Sequence, residues 1–534
     1  MRAIRRASRI VCSITAAALG THRCIGHSLG QPLELFISVC RNATKGSSRL
    51  EDYGLCGLRM GSTVQDMKLR IVIVQCAIVL AAASARAQET QPAPPAPDAP
   101  VPASTDVPAE APAAAEPHEP AGLVPLMDYT GDLWTRPRLL GDFGGARTEW
   151  ANKGVQFDIN FTQIVQSVVE GGLETGTRYG GTLDYNVLFD LHRMGVLPGA
   201  IVKFRAESRY GESVNDIVGT ILSANTDGFF PFTHTPDQDI PITVTNLAYM
   251  QALSEHFSFL IGKFDTIDSD LNEFASGRGT SQFMNANFIF SPTIGLMAPY
   301  STLGAGIIVK PTHDVHIASM VYNIKDSSTT SGFENIDDGA AWLTEAQFQY
   351  RLGALPGGQN VGFGYAFDSD FAEIDGRFVF TPGEGIAPST SNNTWAAYWS
   401  AWQYLWVQDP SDTPINLANG EPDRQGVGLF ARAGFADQDT NPVEWSASGG
   451  IGGKGIIPGR PRDTFGVGYF YIKYQTSRLI DNAGFDNNSQ GFEAFYNLSI
   501  TPAASLSFDV QVVNSPFPDV DAAVILGMRL GLKF

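Results

Sequence analysis

The chain closes on ILGMRLGLKF (residues 525–534), and this stretch separates the possible folds. Large apolar side chains occupy every second position up to the terminal Phe534, while Arg529 and Lys533 fall on the other set of positions. Successive side chains of a β-strand point to opposite faces, so a period of two predicts a strand and disfavours a helix. Such a strand could be the last one of a soluble sheet, or the closing strand of a barrel whose apolar face meets lipid.

The same alternation recurs along the chain from residue 155 onward. About 380 residues of this pattern, at about 24 residues for a strand and its connection, correspond to about sixteen strands. A soluble sandwich of that size would normally divide into domains with visible linkers. We therefore predict an all-β fold, a transmembrane antiparallel β-barrel of about 16 strands that encloses an aqueous channel. The alternating stretches are VQFDINFTQIV (155–165), TLDYNVLFDL (182–191), IVKFRAESRY (201–210), TEAQFQYRL (344–352), FEAFYNLSI (492–500) and SLSFDVQVV (505–513).

Aromatic residues are concentrated in WAAYWSAWQYLW (395–406). Trp and Tyr are enriched where a membrane protein crosses the lipid–water interface, so this run predicts an interfacial belt, with an aromatic surface for solute inside the channel as the alternative. Trp402, Tyr404 and Trp406 share one strand parity, and Trp395 and Trp399 share the other. The sequence leaves open which set faces the lumen.

The first 138 residues differ in composition from the rest. A charged start, a short apolar stretch and the cleavage signal Ala85-Arg86-Ala87 predict a secretory signal peptide at 67–87. We interpret residues 1–66 as a spurious N-terminal extension of the reading frame; a genuine additional segment is the alternative. Residues 88–138, which begin with a run rich in Pro and Ala, are predicted to form a disordered linker. Residues 139–154 then precede the first strand, and 155–534 form the barrel.

Composition also narrows the possible functions. All five cysteines precede residue 87, so the remaining chain offers neither disulfides nor thiolate ligands. The formal net charge is −19, and basic residues are concentrated in the first 87 positions. An acidic barrel domain of this kind argues against a nucleic-acid partner.

Motifs for catalysis or cofactor binding are weak. Residues 450–455 satisfy G-x-G-x-x-G, but no helical pattern follows, so we interpret these glycines as a hairpin loop. His313 and His316 lack the further ligands of a metal site, and the sequence contains no G-x-S-x-G elbow. We expect no enzyme activity, no cofactor and no metal. An outer-membrane barrel enzyme and a lectin-like secreted β-protein are the alternative classes.

Four stretches are similar to the OprB-type family of carbohydrate-selective porins. They are LLGDFGGARTEWANKGV (139–155), IGKFDTIDSDLNEFASGRGTSQFMN (261–285), EWSASGGIGGKGIIPGRPRDTFGVGYFY (444–471) and SPFPDVDAAVILGMRLGLKF (515–534). The resemblance implies a sixteen-stranded barrel in a Gram-negative outer membrane, passing sugars by diffusion. The expected partners are sugars (monosaccharides such as glucose), outer-membrane lipid and the barrel assembly machinery, for which Phe534 would serve as an assembly signal. A general small-solute porin without sugar preference is the alternative.

Two polar ladders supply the candidate lumen residues. Alternate residues of a strand project from one face about 7 Å apart, so each ladder would line the wall as a stripe. We predict that Arg205 and Arg209 point into the channel and bind sugar hydroxyls through their planar forks, with Glu207 holding them in place. The alternative is a solvated strand face without sugar contact. The ladders are Lys203, Arg205, Glu207 and Arg209 on one strand, and Glu345, Gln347, Gln349 and Arg351 on another.

Overall fold

Sixteen strands form a closed antiparallel barrel in the part of the chain that the computed structural model describes, residues 122–227, 240–267, 272–381, 385–409, 423–477 and 484–534. This confirms the predicted fold. The predictions for residues 1–66, 67–87 and 88–121 lie outside the described residues. The barrel strands are β1 (Val155–Glu170), β2 (Gly176–Asp190), β3 (Ala200–Gly211), β4 (Ile240–Ala252), β5 (Phe257–Asp265), β6 (Ser301–Thr312), β7 (Val315–Asn323), β8 (Ala340–Leu352), β9 (Leu355–Ala372), β12 (Thr390–Val407), β13 (Gly426–Ala436), β14 (Val443–Lys454), β15 (Thr464–Tyr474), β16 (Asn488–Thr501), β17 (Ala504–Val513) and β18 (Ala523–Lys533).

A separate two-stranded hairpin and two short α-helices accompany the barrel. The strands β10 (Phe378–Thr381) and β11 (Gly385–Pro388) pair with each other as a separate hairpin. The short helices are α1 (Ala146–Asn152), which precedes β1, and α2 (Asn215–Val218), which follows β3. Within the described residues, no helix has the length and apolar character needed to cross a membrane.

The C-terminal strand closes the barrel against the first strand. Each barrel strand pairs with its neighbours along the chain, and β18 pairs with both β17 and β1. The alternation in ILGMRLGLKF sorts this strand's side chains between two faces: Leu526 is 47 % exposed on the outside, whereas Ile525 and Arg529 are buried inside. The period of two thus separates an apolar outer surface from a polar interior.

The two rims of the barrel differ. We call the rim where β1 begins and β18 ends the terminal end, and the opposite rim the loop end. Because neighbouring strands are antiparallel, alternate connections lie at the same rim. Those at the terminal end include the two-residue turns 313–314, 353–354 and 502–503. The connection between β5 and β6 starts from the loop end, and its described residues 272–300 contact the inner wall of the barrel.

The N-terminal segment packs against the terminal end, so the predicted linker does not extend over 122–138. Met127 and Tyr129 are buried together with Ala151 of α1. The main-chain N–H of Leu139 donates to the Lys533 carbonyl at 2.8 Å, which ties the segment to β18. The Pro- and Ala-rich composition ends near residue 120, and the apolar side chains that follow allow this part to pack.

The predicted hairpin loop at 450–455 is wrong. Gly450, Gly452 and Gly453 lie inside β14, in regular register with β13 and β15, and the turn begins at Gly455. Glycine is needed at these strand positions because other groups occupy the space that a larger side chain would fill. An ideal Cβ at Gly452 would lie 2.6 Å from the Cβ of Phe274, a residue of the connection between β5 and β6.

Candidate functional site

Residues 272–300, here called the inner loop, lie inside the barrel. Asn272 donates from Nδ2 to Ser400 Oγ of β12 at 3.0 Å, and the Met284 and Asn285 amides donate to Glu493 of β16 at 2.5 and 2.9 Å. An element that contacts strands all around a closed barrel must occupy its lumen. The inner loop therefore narrows the channel.

A glycine-rich part of the wall receives the aromatic side chains of the inner loop. An ideal Cβ at Gly468 of β15 would lie 2.5 Å from Phe288, and one at Gly428 of β13 would lie 2.4 Å from Phe274. Phe288 stacks on Phe283 with ring centroids 4.5 Å apart, and both belong to the largest apolar cluster. Close packing of this kind leaves little freedom for the loop to shift.

The other edge of the inner loop meets charged residues of the opposite wall. Three arginines and four carboxylates form one buried group with a tyrosine, which we call the ionic cluster. Its side chains come from β2, β3, β5, the connection after β3 and the inner loop. The members are Asp184, Arg205, Glu207, Arg209, Asp227, Asp265, Arg278 and Tyr300.

Glu207 is the centre of the ionic cluster and is fully buried. Its carboxylate lies 3.0 Å from Arg205 Nε and accepts a hydrogen bond from the Tyr300 hydroxyl at 2.7 Å. Arg209 and Arg278 approach the same carboxylate at 3.5 and 3.4 Å. A buried carboxylate is tolerated when charged donors surround it in this way.

Arg205 and Arg209 face the interior, but their guanidinium groups form ion pairs with carboxylates. Arg205 reaches Asp184 at 2.9 Å and Asp265 at 3.4 Å, in addition to Glu207. The side chains of Arg205 and Arg209 are only 8 % and 12 % exposed. Lys203 is half-buried on the same strand, nearer the terminal end. Sugar binding by this ladder stays a prediction. The structure shows Arg205 joining carboxylates of β2, β3 and β5, and Arg209 donating to the Tyr300 hydroxyl of the inner loop at 3.4 Å.

The second ladder divides between two environments. Glu345 is buried and accepts hydrogen bonds from Gln347 Nε2 and from the Tyr398 hydroxyl, both at 2.7 Å. Gln347 and Gln349 line an internal cavity. Arg351 is exposed at the terminal end and donates to a main-chain carbonyl of the adjacent turn at 3.3 Å. The strands β4–β7 separate this ladder from the one on β3.

The internal cavity has a volume of about 440 Å³ and lies between the inner loop and the wall. Amide side chains of Gln347, Gln349 and Asn360 line it together with the indole ring of Trp402. Phe274 of the inner loop meets the Trp402 ring edge-on, with centroids 6.5 Å apart. The cavity thus combines hydrogen-bonding groups with an aromatic face, as small-molecule sites commonly do.

The aromatic run of β12 is divided between the two faces by strand alternation, and a β-bulge near its end changes the parity. Trp402 and Tyr404 face inward, while Trp399 is 39 % exposed on the outside. The register shifts between Tyr404 and Trp406, and Trp406 is 48 % exposed. Trp406 therefore does not share the face of Trp402 and Tyr404, because a bulge inserts one residue and changes the parity.

Sequence reasoning missed the inner-loop members of the site. Arg278 has a φ of 57°, a conformation that non-glycine residues rarely adopt, and pairs with Asp265 at 2.7 Å. Its signal in the sequence was Gly277-Arg278-Gly279, where two glycines favour a tight turn. Within the described residues, no group of three or more His, Cys, Asp or Glu side chains is arranged to hold a metal ion.

A closed sixteen-stranded barrel with a loop folded into a polar lumen defines an outer-membrane porin, a channel rather than an enzyme. The chain belongs to the OprB family of carbohydrate-selective porins, whose family model matches residues 174–534. It is therefore a carbohydrate-selective channel of the outer membrane, and the predicted family is confirmed.

Individual relatives are distant in sequence. Porin B of Pseudomonas aeruginosa is 23 % identical over 436 residues, which cover 74 % of this chain and 91 % of that protein. A solved structure of Pseudomonas putida OprB at high pH has a TM-score of 0.63 at 20 % identity, covering 76 % of this chain and 100 % of that one. At this identity the solved structure supports the barrel fold.

Proposed function

We propose that the channel passes monosaccharides such as glucose by passive diffusion, and that they bind transiently in the cavity beside Trp402. The observation that carries this proposal is the lining of that cavity. Amide side chains and an indole ring together line a volume of about 440 Å³. Amides can replace the water that hydrates sugar hydroxyls, and an aromatic face suits the C–H surface of a pyranose.

Within this proposal the predicted ladder residues have different roles. Gln347 and Gln349 contact sugar hydroxyls directly, because their side chains line the cavity. Arg205, Glu207 and Arg209 act mainly through their ion pairs, which fix the wall against the inner loop. Lys203, Glu345 and Arg351 contribute to the charge of the wet lumen without a specific sugar contact.

The surroundings of the channel also form part of the proposal. Outer-membrane lipid covers the apolar outer face, and Phe534 is the residue that the barrel assembly machinery recognises. Residues 67–87 direct export and are removed at the cleavage signal. The apolar period of β18 and the cleavage signal at 85–87 support these assignments.

Reconstituted single channels in planar bilayers, titrated with glucose, test the function. Glucose should block the open-channel current at saturable occupancy, and Trp402→Leu should weaken this block by about tenfold, or about 1.4 kcal/mol. Trp399→Leu is the matched control, because Trp399 lies on the same strand and faces outward. Equal permeation of glucose and an uncharged non-sugar solute of the same size would favour the general-porin alternative.

A further inference from the structure

Two buried arginines of the barrel wall hold the inner loop by its main chain. Arg529 of β18 is 1 % exposed and donates from Nη1 to the Gly279 carbonyl at 2.5 Å and from Nη2 to the Gln282 carbonyl at 2.8 Å. Arg432 of β13 is 4 % exposed and donates from Nη1 to the Phe288 carbonyl at 2.5 Å. Its Nη2 donates to a second loop carbonyl, that of Ala275.

Each guanidinium therefore joins two carbonyls of a segment that has little regular structure. Carbonyls without a ladder partner need another donor when they are buried. The planar fork of arginine presents several N–H groups in fixed directions, which a lysine ammonium does not. These two arginines thus supply hydrogen-bond donors to the loop carbonyls and also fix the spacing of the loop main chain.

The four carbonyls flank the functional part of the inner loop. Gly279 follows Arg278, which pairs with Glu207 and Asp265 in the ionic cluster. Gln282 lines the cavity itself. A displacement of the loop at the arginine contacts would therefore move both Gln282 in the cavity lining and Arg278 in the ionic cluster.

We propose that Arg432 and Arg529 are positioning residues for selectivity, which set the geometry of the sugar path by holding the inner loop against the wall. This inference rests on the proposed sugar site beside Trp402. The alternative is that both arginines only stabilise the barrel, in which case the loop would keep its place when their forks are altered.

Spin labelling can follow the loop without reference to sugar. The last native cysteine is Cys76, so Ser281→Cys introduces a single thiol into residues 88–534 on an exposed, cavity-lining position. The label would be placed in the wild-type background, in Arg432→Lys, in Arg529→Lys and in the double variant. Arg178→Lys is the control, because Arg178 pairs with Glu212 and Asp216 at the loop end.

The lysine variants keep the charge and remove the fork, so the heat-modifiable barrel should form at the usual yield. We expect the electron paramagnetic resonance spectrum of the label to gain a mobile component in each variant. If the docked loop falls to about one tenth of the population, glucose block of single channels weakens by about tenfold. The control should match the wild type in both measurements.

The outcomes separate this inference from the proposed function. An unchanged label spectrum and unchanged glucose block in both single variants would overturn the positioning role. A mobile label together with unchanged block would also overturn it, because the loop position would then not matter for selectivity. If the wild-type channel shows no glucose block, the proposed function fails, and the inference about selectivity fails with it even if the label spectra show loop release.

Discussion

Arg147 donates a hydrogen bond from Nη2 to the terminal main-chain oxygen of Phe534 at 3.0 Å, although 387 positions separate the two residues. The same nitrogen lies 3.0 Å from the Asp158 carboxylate on β1, and Arg138 Nε lies 2.6 Å from that carboxylate. One buried side chain of the N-terminal segment thus contacts both strands of the barrel closure. These contacts require β1 and β18 to be adjacent, so they stabilise the closed barrel relative to an open sheet.

The first prediction is that Arg147→Gln destabilises the barrel without altering transport. Arg147 is 1 % exposed, and hydrogen bonds to charged groups contribute about 1.5–3 kcal/mol each, so the free energy of unfolding should fall by about 2 kcal/mol or more. Urea unfolding in lipid vesicles measures this change. Arg147 lies in α1, and Lys153 follows directly after that helix with its side chain 68 % exposed, so Lys153→Gln is the control. Equal unfolding midpoints for the two variants would contradict the prediction.

The second prediction concerns Phe534 as an assembly signal. Deleting Phe534 should lower the amount of heat-modifiable barrel in the membrane, because the terminal aromatic would no longer be available to the assembly machinery. Arg147→Gln loses the contact with Phe534 in the folded barrel but keeps the terminal residue. A smaller loss of yield in Arg147→Gln than in the deletion would assign the defect to assembly, and equal losses would assign it to the closed structure.

The third prediction revises what the polar ladder on β3 implies. The sequence predicts that replacing Arg205 and Arg209 by Ala weakens sugar block by about tenfold and leaves the barrel intact. The structure changes that expectation, because Glu207 and Asp265 are buried and would lose cationic partners. Breaking buried ion pairs from one side costs about 3–5 kcal/mol. We therefore expect the double variant to lower barrel stability, as measured by the temperature of heat modification.

A conservative replacement separates the two roles of this ladder. Arg209→Lys keeps a cation near Glu207, so barrel stability should change little. If Arg209 binds sugar through its planar fork, this variant weakens glucose block at normal barrel yield. Arg351→Lys is the control, since Arg351 lies exposed at the terminal end. Unchanged block in Arg209→Lys would assign Arg209 to the wall alone.

The barrel could be predicted from the sequence because its signal is local. Each strand alternates between a lipid face and a lumen face, so the parity of Leu526 and Arg529 is visible in the linear chain. The bulge at Tyr404 could not be predicted in this way, because it depends on pairing with β13. The glycines of β14 could not be recognised as strand residues for the same reason. Glycine is needed at position 452 because Phe274, 178 positions earlier in the numbering, occupies the space of a side chain there.

The candidate site was less predictable than the fold. Alternation indicated that Arg205 and Glu207 face the lumen, but not that Arg278 and Tyr300 would come from a distant loop to meet them. Long-range partners decide whether a charged side chain is exposed to solute or buried in an ion pair. A periodic pattern within one strand carries no information about such partners, so the ladder appeared more open than it is.

The last prediction tests whether the glycine-rich wall is needed to seat the inner loop. An ideal Cβ at Gly468 would lie 2.5 Å from Phe288, so Gly468→Val must displace this ring, and overpacking of this kind costs about 1–3 kcal/mol. We expect the barrel to form while single-channel conductance and glucose block both change. Gly531→Ala is the control, because the nearest group to its Cβ is the Ser505 hydroxyl at 3.0 Å. Wild-type conductance and block in Gly468→Val would mean that the loop finds an equivalent position without the space that this glycine provides.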